Sequence, residues 1–187
     1  MRLIKSIAIL FTFAAISTAA PTPEKGIEFI TSSGVKRTVY VHAPLAPADV
    51  EGESSRTSKV KRFQFHSDAK DRNFCGTSSF ENRSSGGSPS AADCECVRDF
   101  AAGHKGFYRI NRSDADTFFP VITCGTCRFG ADTSNFFGTQ VGNEDIVDVV
   151  NTALDLFRSD GHVGAYGEMG CDNSFQTAKT TWGLYKA

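Results

Sequence analysis

Residues 143–161 read NEDIVDVVNTALDLFRSDG. Ile146, Val149, Val150, Ala153, Leu154 and Phe157 fall at i, i+3, i+4, i+7, i+8 and i+11, a single apolar stripe on an α-helix. Asp148, Thr152 and Asp155 mark the wet side. Asn143 is the expected cap, with Glu144 and Asp145 in the first turn, where the helix dipole favours acid. Arg158 lies in the last turn and Gly161 just beyond. A second helix is expected from Ser88-Pro89, with Ser as N-cap and Pro at the first helical position. It runs through Asp93, Cys94, Glu95, Cys96, Val97 and Phe100 and stops at Gly103.

Glycine-broken strands surround these helices, at Gly106–Asn111, Pro120–Cys124, Cys127–Ala131, His162–Met169 and Thr180–Tyr185. The order helix, strands, helix, strands predicts an α+β fold. It is expected to be a disulfide-stabilised two-layer sandwich, with two helices packed on one face of a mostly antiparallel sheet. The chain has 16 Phe against a single Trp. Phe buries a large area with no polar atom to satisfy, so these side chains are expected in the core.

All six cysteines lie between Cys75 and Cys171. Arg2 and Lys5, the apolar run Ile7–Ile16 and the small residues Ser17 to Ala20 predict a secretory signal peptide over residues 1–19, cut after Ala19. The run is shorter than the roughly 20 apolar residues that span a bilayer, so no stable membrane insertion is expected. An even cysteine count in a secreted chain points to disulfides rather than metal or redox thiols, Cys124-Gly-Thr-Cys127 included. Six cysteines allow about 15 pairings. Cys94 and Cys96 point in different directions on a helix and do not pair with each other. A nested arrangement, Cys75–Cys171, Cys94–Cys127 and Cys96–Cys124, satisfies the order, and spacing alone leaves others open.

Residues 20–62 are expected to be a disordered pro-segment or arm. They contain the Pro/Ala-rich stretch Ala43 to Ala48 and the polar run EGESSRTSKVKR at 51–62. The segment ends in the dibasic pair Lys61-Arg62, the kind cut by secretory-pathway proteases; Lys36-Arg37 is a second such pair. Residues 63–187 then form the mature domain, with 11 Lys and Arg against 16 Asp and Glu. An acidic domain without a basic patch argues against nucleic acid and against anionic membranes. Asn82-Arg83-Ser84 and Asn111-Arg112-Ser113 are N-glycosylation sequons.

Several pieces of the chain, in order, resemble the fungal necrosis-inducing factor family, homologues of the extracellular protein two effector of a plant-pathogenic fungus. They are Cys75-Gly76, Ser79-Phe80-Glu81-Asn82, Ser88-Pro89, Asp93-Cys94 and Gly125-Thr126-Cys127-Arg128-Phe129-Gly130. The run Val141 to Asp148 and the run Gly164 to Cys171 complete the set. The resemblance implies a secreted, extracellular fungal effector, necrosis-inducing or virulence-associated, that binds a host plant or microbial target, a protein or cell-surface component. It also implies an alternative, an antimicrobial role like that of killer toxins. Family members typically carry four cysteines matching Cys75, Cys94, Cys127 and Cys171, so Cys96 and Cys124 read as an additional pair.

An enzyme is not expected. Past Arg62 the histidines are His66, His104 and His162, and the candidate acids are Glu81, Glu95, Glu144 and Glu168. A hydrolase would need two of these to converge. No G-x-S-x-G or H-E-x-x-H motif is visible. Neither metal nor cofactor is expected, and the domain reads as a monomer. Val141-Gly142-Asn143 could offer backbone N–H groups to an anion, but the acids that follow favour simple capping. Trp182 and Tyr185 read as core or sheet edge.

Overall fold

The computed structural model describes residues 26–42, 63–67, 73–112 and 118–187. The expected leader 1–19 with Ala19, the pair Lys61-Arg62, and residues 20–25 and 43–60 of the expected arm lie outside the described residues. In chain order the elements are β1 (Ile27–Ile30), β2 (Lys36–Val41), β3 (Phe63–Ser67), β4 (Cys75–Ser78), β5 (Glu81–Asn82) and α1 (Ala91–Gly103). Then follow β6 (Gly106–Ile110), β7 (Phe119–Cys124), β8 (Cys127–Thr133), β9 (Thr139–Gly142), α2 (Asn143–Phe157), β10 (Ala165–Asp172) and β11 (Thr177–Lys186).

The larger sheet runs β1-β2-β7-β8-β11-β10-β4, with β5 also on β10; it is open and its pairs are antiparallel. α1 lies across β7 and β8, and α2 lies beside α1. The architecture is α+β, with two helices packed against an open, antiparallel sheet. A second sheet, β3-β6-β9, meets α2 through β9 and β6. The strands β3, β4, β5 and β9 were not foreseen from sequence; each is five residues or fewer and too short for a period to show.

The apolar stripe of α2 does what its spacing predicts. Ile146, Val150 and Ala153 are fully buried, and Val149 and Leu154 nearly so. Each large apolar side chain so buried contributes about 1.5–3 kcal/mol relative to exposure. Trp182, Phe129, Ile122 and Val121 are fully buried on the main sheet.

Three disulfides join helix to sheet and sheet to edge: Cys75–Cys171, Cys94–Cys127 and Cys96–Cys124. The last two tie α1 to the two ends of the β7–β8 turn. Gly125 turns there at φ 55°, and a Cβ on it would sit 2.6 Å from the Asp93 carboxylate. Asp93 is buried and accepts from Thr126 N at 2.8 Å and Thr126 Oγ1 at 2.7 Å. The Asp93-Cys94 and Gly125-Thr126-Cys127 pieces of sequence are therefore one joint, in which only glycine leaves room for the acid.

Three expectations need correction. First, residues 27–41 of the expected disordered arm form the β1–β2 hairpin and add it to the main sheet, with Val39 fully buried against β7. Sparse apolar residues over 49–62 coloured the whole arm, whereas KRTVYV at 36–41 is a β-branched strand in its own right. Second, α1 starts one half-turn late. Ser90, not Ser88, is the N-cap, and its hydroxyl accepts from Asp93 N. Residues 88–90 are instead fastened to the 159–163 turn, through Val163 N to Pro89 O (3.1 Å) and His162 Nδ1 on Ser88 O (2.9 Å). That same turn delays the expected His162 strand to Ala165. Third, Gly142 caps α2, and Asn143 is its first helical residue, donating from Nδ2 to His104 O.

Candidate functional site

Of the candidate catalytic residues, the three histidines and Glu81, Glu95 and Glu168 each serve a separate local partner. His104 Nδ1 meets Phe100 O at 2.7 Å, and its ring stacks on Phe100, so it closes the end of α1. His162 serves the Ser88 carbonyl, and His66 stacks on Phe107. Glu81 pairs with Arg83, Glu95 with Arg158, and Glu168 with Lys179 and Tyr166. Among the described residues no three His, Cys, Asp or Glu are grouped to hold a metal ion.

At the start of α2 the Gly142 N–H is taken up by the chain itself, as the acids there suggest. Asp145 Oδ2 accepts from Gly142 N (2.7 Å) and Phe74 N (2.9 Å), and Oδ1 accepts from Cys75 N (3.1 Å). Burial pushes this carboxyl above its ordinary value, against the pull of the three N–H groups. The side chain thus caps α2 and pins the start of β4 to it. A groove of about 380 Å³ opens beside this joint, lined by Thr77, Ser78, Asp148, Thr152 and Met169.

Trp182 is fully buried, between Phe80 and Phe129, and its indole N–H donates to Ser78 Oγ at 2.7 Å. It is core and no sugar platform. Tyr185 lies under the Arg128 guanidinium, 5.9 Å from the ring centre. Asn82 is exposed on β5, while Asn111 is half-buried with its side chain against Gly138.

Among the described residues, the expectation that the phenylalanines are core fails at one place. Phe136, Phe137 and Phe175 are 81%, 57% and 78% exposed. They come from two turns, 134–138 (SNFFG) and 173–176 (NSFQ), and their rings form a chain: Phe136–Phe137 at 5.5 Å and Phe137–Phe175 at 5.9 Å. Together they expose on the order of 400 Å² of aromatic surface. The turns beneath are held rigidly. Buried Asn173 accepts from Phe175 N and Gln176 N, and donates to Gly138 O (3.0 Å) and Asn135 Oδ1 (3.3 Å). Asn135 Oδ1 also accepts from Phe137 N at 2.8 Å. Neither turn contains a charged residue. Two asparagines, unreadable as partners from sequence, thus present three rings to solvent in fixed positions.

These features define a disulfide-stapled α+β module with an exposed aromatic tip. The family described as "Pathogen effector; putative necrosis-inducing factor", Hce2, matches residues 74–171, and the chain belongs to that family. The family is one of pathogen effectors, and the three disulfides accord with a secreted, extracellular protein. The chain is also similar to a protein of Penicillium expansum named "Probable chitinase LysM18", at 32% identity over 114 residues. The match takes 59% of this chain and 8% of that much longer protein. Among the described residues no helix is long and apolar enough to cross a membrane.

Proposed function

We propose that this effector acts by docking the aromatic tip of Phe136, Phe137 and Phe175 into an apolar socket of a host plant component, with cell death or virulence as the outcome. The observation that carries this reading is the exposure of three adjacent rings on hydrogen-bonded turns. A patch of this size matches the largest on a typical monomer, and such patches often mark an interaction site. Because the tip is preorganised, little conformational entropy is lost on binding. Because it is uncharged, docking strips no ion of water. The test is binding of labelled chain to washed leaf apoplastic and plasma-membrane fractions, with and without Phe136→Ala, Phe137→Ala and Phe175→Ala together. The triple variant loses saturable binding at least tenfold; equal binding would refute the tip as the contact.

A second reading is favoured by the likeness to the Penicillium expansum protein. Its printed name places a similar segment in a chitinase, which suits action on competing fungi. Growth inhibition across a fungal panel, set against leaf infiltration, separates the two outcomes.

The processing readings belong to the same proposal. Cleavage after Ala19 releases the chain, cleavage after Lys61-Arg62 trims it, and glycan sits on Asn82 in preference to half-buried Asn111. N-terminal sequencing and glycopeptide mass measurement of the secreted protein test these together.

A further inference from the structure

We propose that the outer edge of β7, together with the acidic side of α1, is a strand-accepting site for a basic extended segment of a protein partner, and that the β1–β2 hairpin is its resident occupant. The site differs from the aromatic tip and does not depend on it.

No disulfide fastens the hairpin to the domain it completes. No cysteine precedes Cys75, and the three disulfides lie within 75–171. β2 reaches β7 through three register pairs, Val39–Cys124, Tyr40–Thr123 and Val41–Ile122, continued by His42 N to Val121 O at 3.1 Å. Its inward side chains fit two receptors. Val39 fills the core, and Arg37 reaches Asp93 Oδ1 at 3.3 Å, the oxygen that Thr126 leaves open. The β1–β2 turn adds Ser32, whose N–H and hydroxyl both donate to Asp99 Oδ2, at 2.9 and 2.7 Å. Phe29 packs edge-on against Phe100, 5.6 Å between ring centres.

Without the hairpin, β7 is a bare edge with unpaired N–H and C=O groups. Asp93 on the adjacent helix loses Arg37, and Asp99 loses both Ser32 donors. An exposed edge adds an extended peptide readily, and alternate side chains give the selectivity. The chemistry of the fit is readable from the occupant: Arg or Lys at one position, a β-branched residue two further on, and a hydroxyl or N–H donor for Asp99.

The release step rests on the processing reading at Lys61-Arg62. While the chain is whole, the hairpin competes as part of the same molecule. A cut after Arg62 removes that tether. A hairpin held to β7 by three register pairs then dissociates on dilution. The other dibasic pair, Lys36-Arg37, lies inside β2 with its backbone paired to β1, which shields it from the same protease.

The test uses the full secreted chain, cut after folding with a dibasic-specific endoprotease. Intact mass reports whether the cut falls after Arg62. If that pair resists, a chain carrying an inserted sequence-specific protease site at 61–62 is cut instead, so failure of processing and failure of the acceptor site are read separately. Circular dichroism confirms that the cut core stays folded. A fluorescent peptide of residues 26–42 is then titrated by anisotropy. The expected result is micromolar binding to the cut protein, at least tenfold weaker binding to the whole chain, and a further tenfold loss for the Arg37→Glu peptide. Equal binding to cut and whole chain overturns the proposal. So does equal binding of the Arg37→Glu peptide, or a cut hairpin that stays with the core through dilution to nanomolar.

Discussion

Replacing Asp145 with alanine removes one carboxylate that serves three backbone donors, Gly142 N, Phe74 N and Cys75 N. A buried donor left without a partner costs about 1–3 kcal/mol. Gly142 is buried and takes the full penalty. Phe74 and Cys75 are half-buried beside the open groove, where water can replace part of the loss. The carboxylate is itself disfavoured by burial, so its removal relieves some desolvation. The sum is about 3 kcal/mol of destabilisation, with the disulfides intact. Asp145→Asn keeps one acceptor oxygen and is expected to cost less than half as much. The assay is urea unfolding followed by fluorescence of Trp182, the only tryptophan and fully buried. An alanine variant within about 0.5 kcal/mol of wild type would refute the reasoning. An asparagine variant as damaged as the alanine one would refute it equally.

Replacing both Cys96 and Cys124 with serine removes the inner of two nested bonds, because Cys94–Cys127 still closes the enclosing loop. The loss is therefore well below the ~3.5 kcal/mol that the chain-entropy treatment gives an isolated loop of this length, and the same unfolding experiment measures it. Gly167→Ala puts a Cβ 2.1 Å from Ser79 O and 2.7 Å from the Trp182 ring, and overpacking of this kind costs about 1–3 kcal/mol. Its signature is a changed Trp182 emission in the native state. Phe136→Ala with Phe175→Ala changes stability by no more than about 0.5 kcal/mol, since both rings are exposed. A larger loss in that unfolding curve would show that the rings hold the turns together. Burial acts to raise the Asp99 carboxyl, but the Ser32 hydroxyl and N–H, with Arg98 beside them, outweigh it and hold it below its ordinary value. A depressed carboxyl stabilises above its unfolded value of about 3.9 and loses that contribution as pH falls through the folded value. Hydrogen exchange at residues 31–35, corrected for its intrinsic pH dependence, is therefore expected to lose protection below about pH 4, and Asp99→Asn abolishes that change.

What sequence reveals here is what is periodic or local. The stripe of α2 and the strands flanking Cys124 and Cys127 are readable because each carries its own pattern. The start of α1 is not, because residues 88–90 answer to a turn some 70 positions further on rather than to their own capping preference. Asp93 and Asp145 look like ordinary first-turn acids. Their main work is to accept from Thr126 and from Phe74 and Cys75, contacts 33 and 70 or 71 residues away. The hairpin at 27–41 hides in a polar segment, and burial of Val39 depends on β7, which comes 80 residues later. The aromatic tip is hidden for the opposite reason. A phenylalanine in sequence says core, and only the paired asparagine turns reveal that three of them face water.

The central claim is that a rigid surface, and no reaction centre, carries the effect. It is tested most directly by infiltrating leaves with three oxidised, purified proteins at equal concentration: the full secreted chain, its Phe136→Ala/Phe137→Ala/Phe175→Ala variant, and a His104→Ala/His162→Ala variant, with reduced and alkylated protein as control. The account predicts cell death from the wild type and the histidine variant, and none from the phenylalanine variant or the alkylated control. Full activity of the phenylalanine variant, or loss of activity in a folded histidine variant, would contradict it.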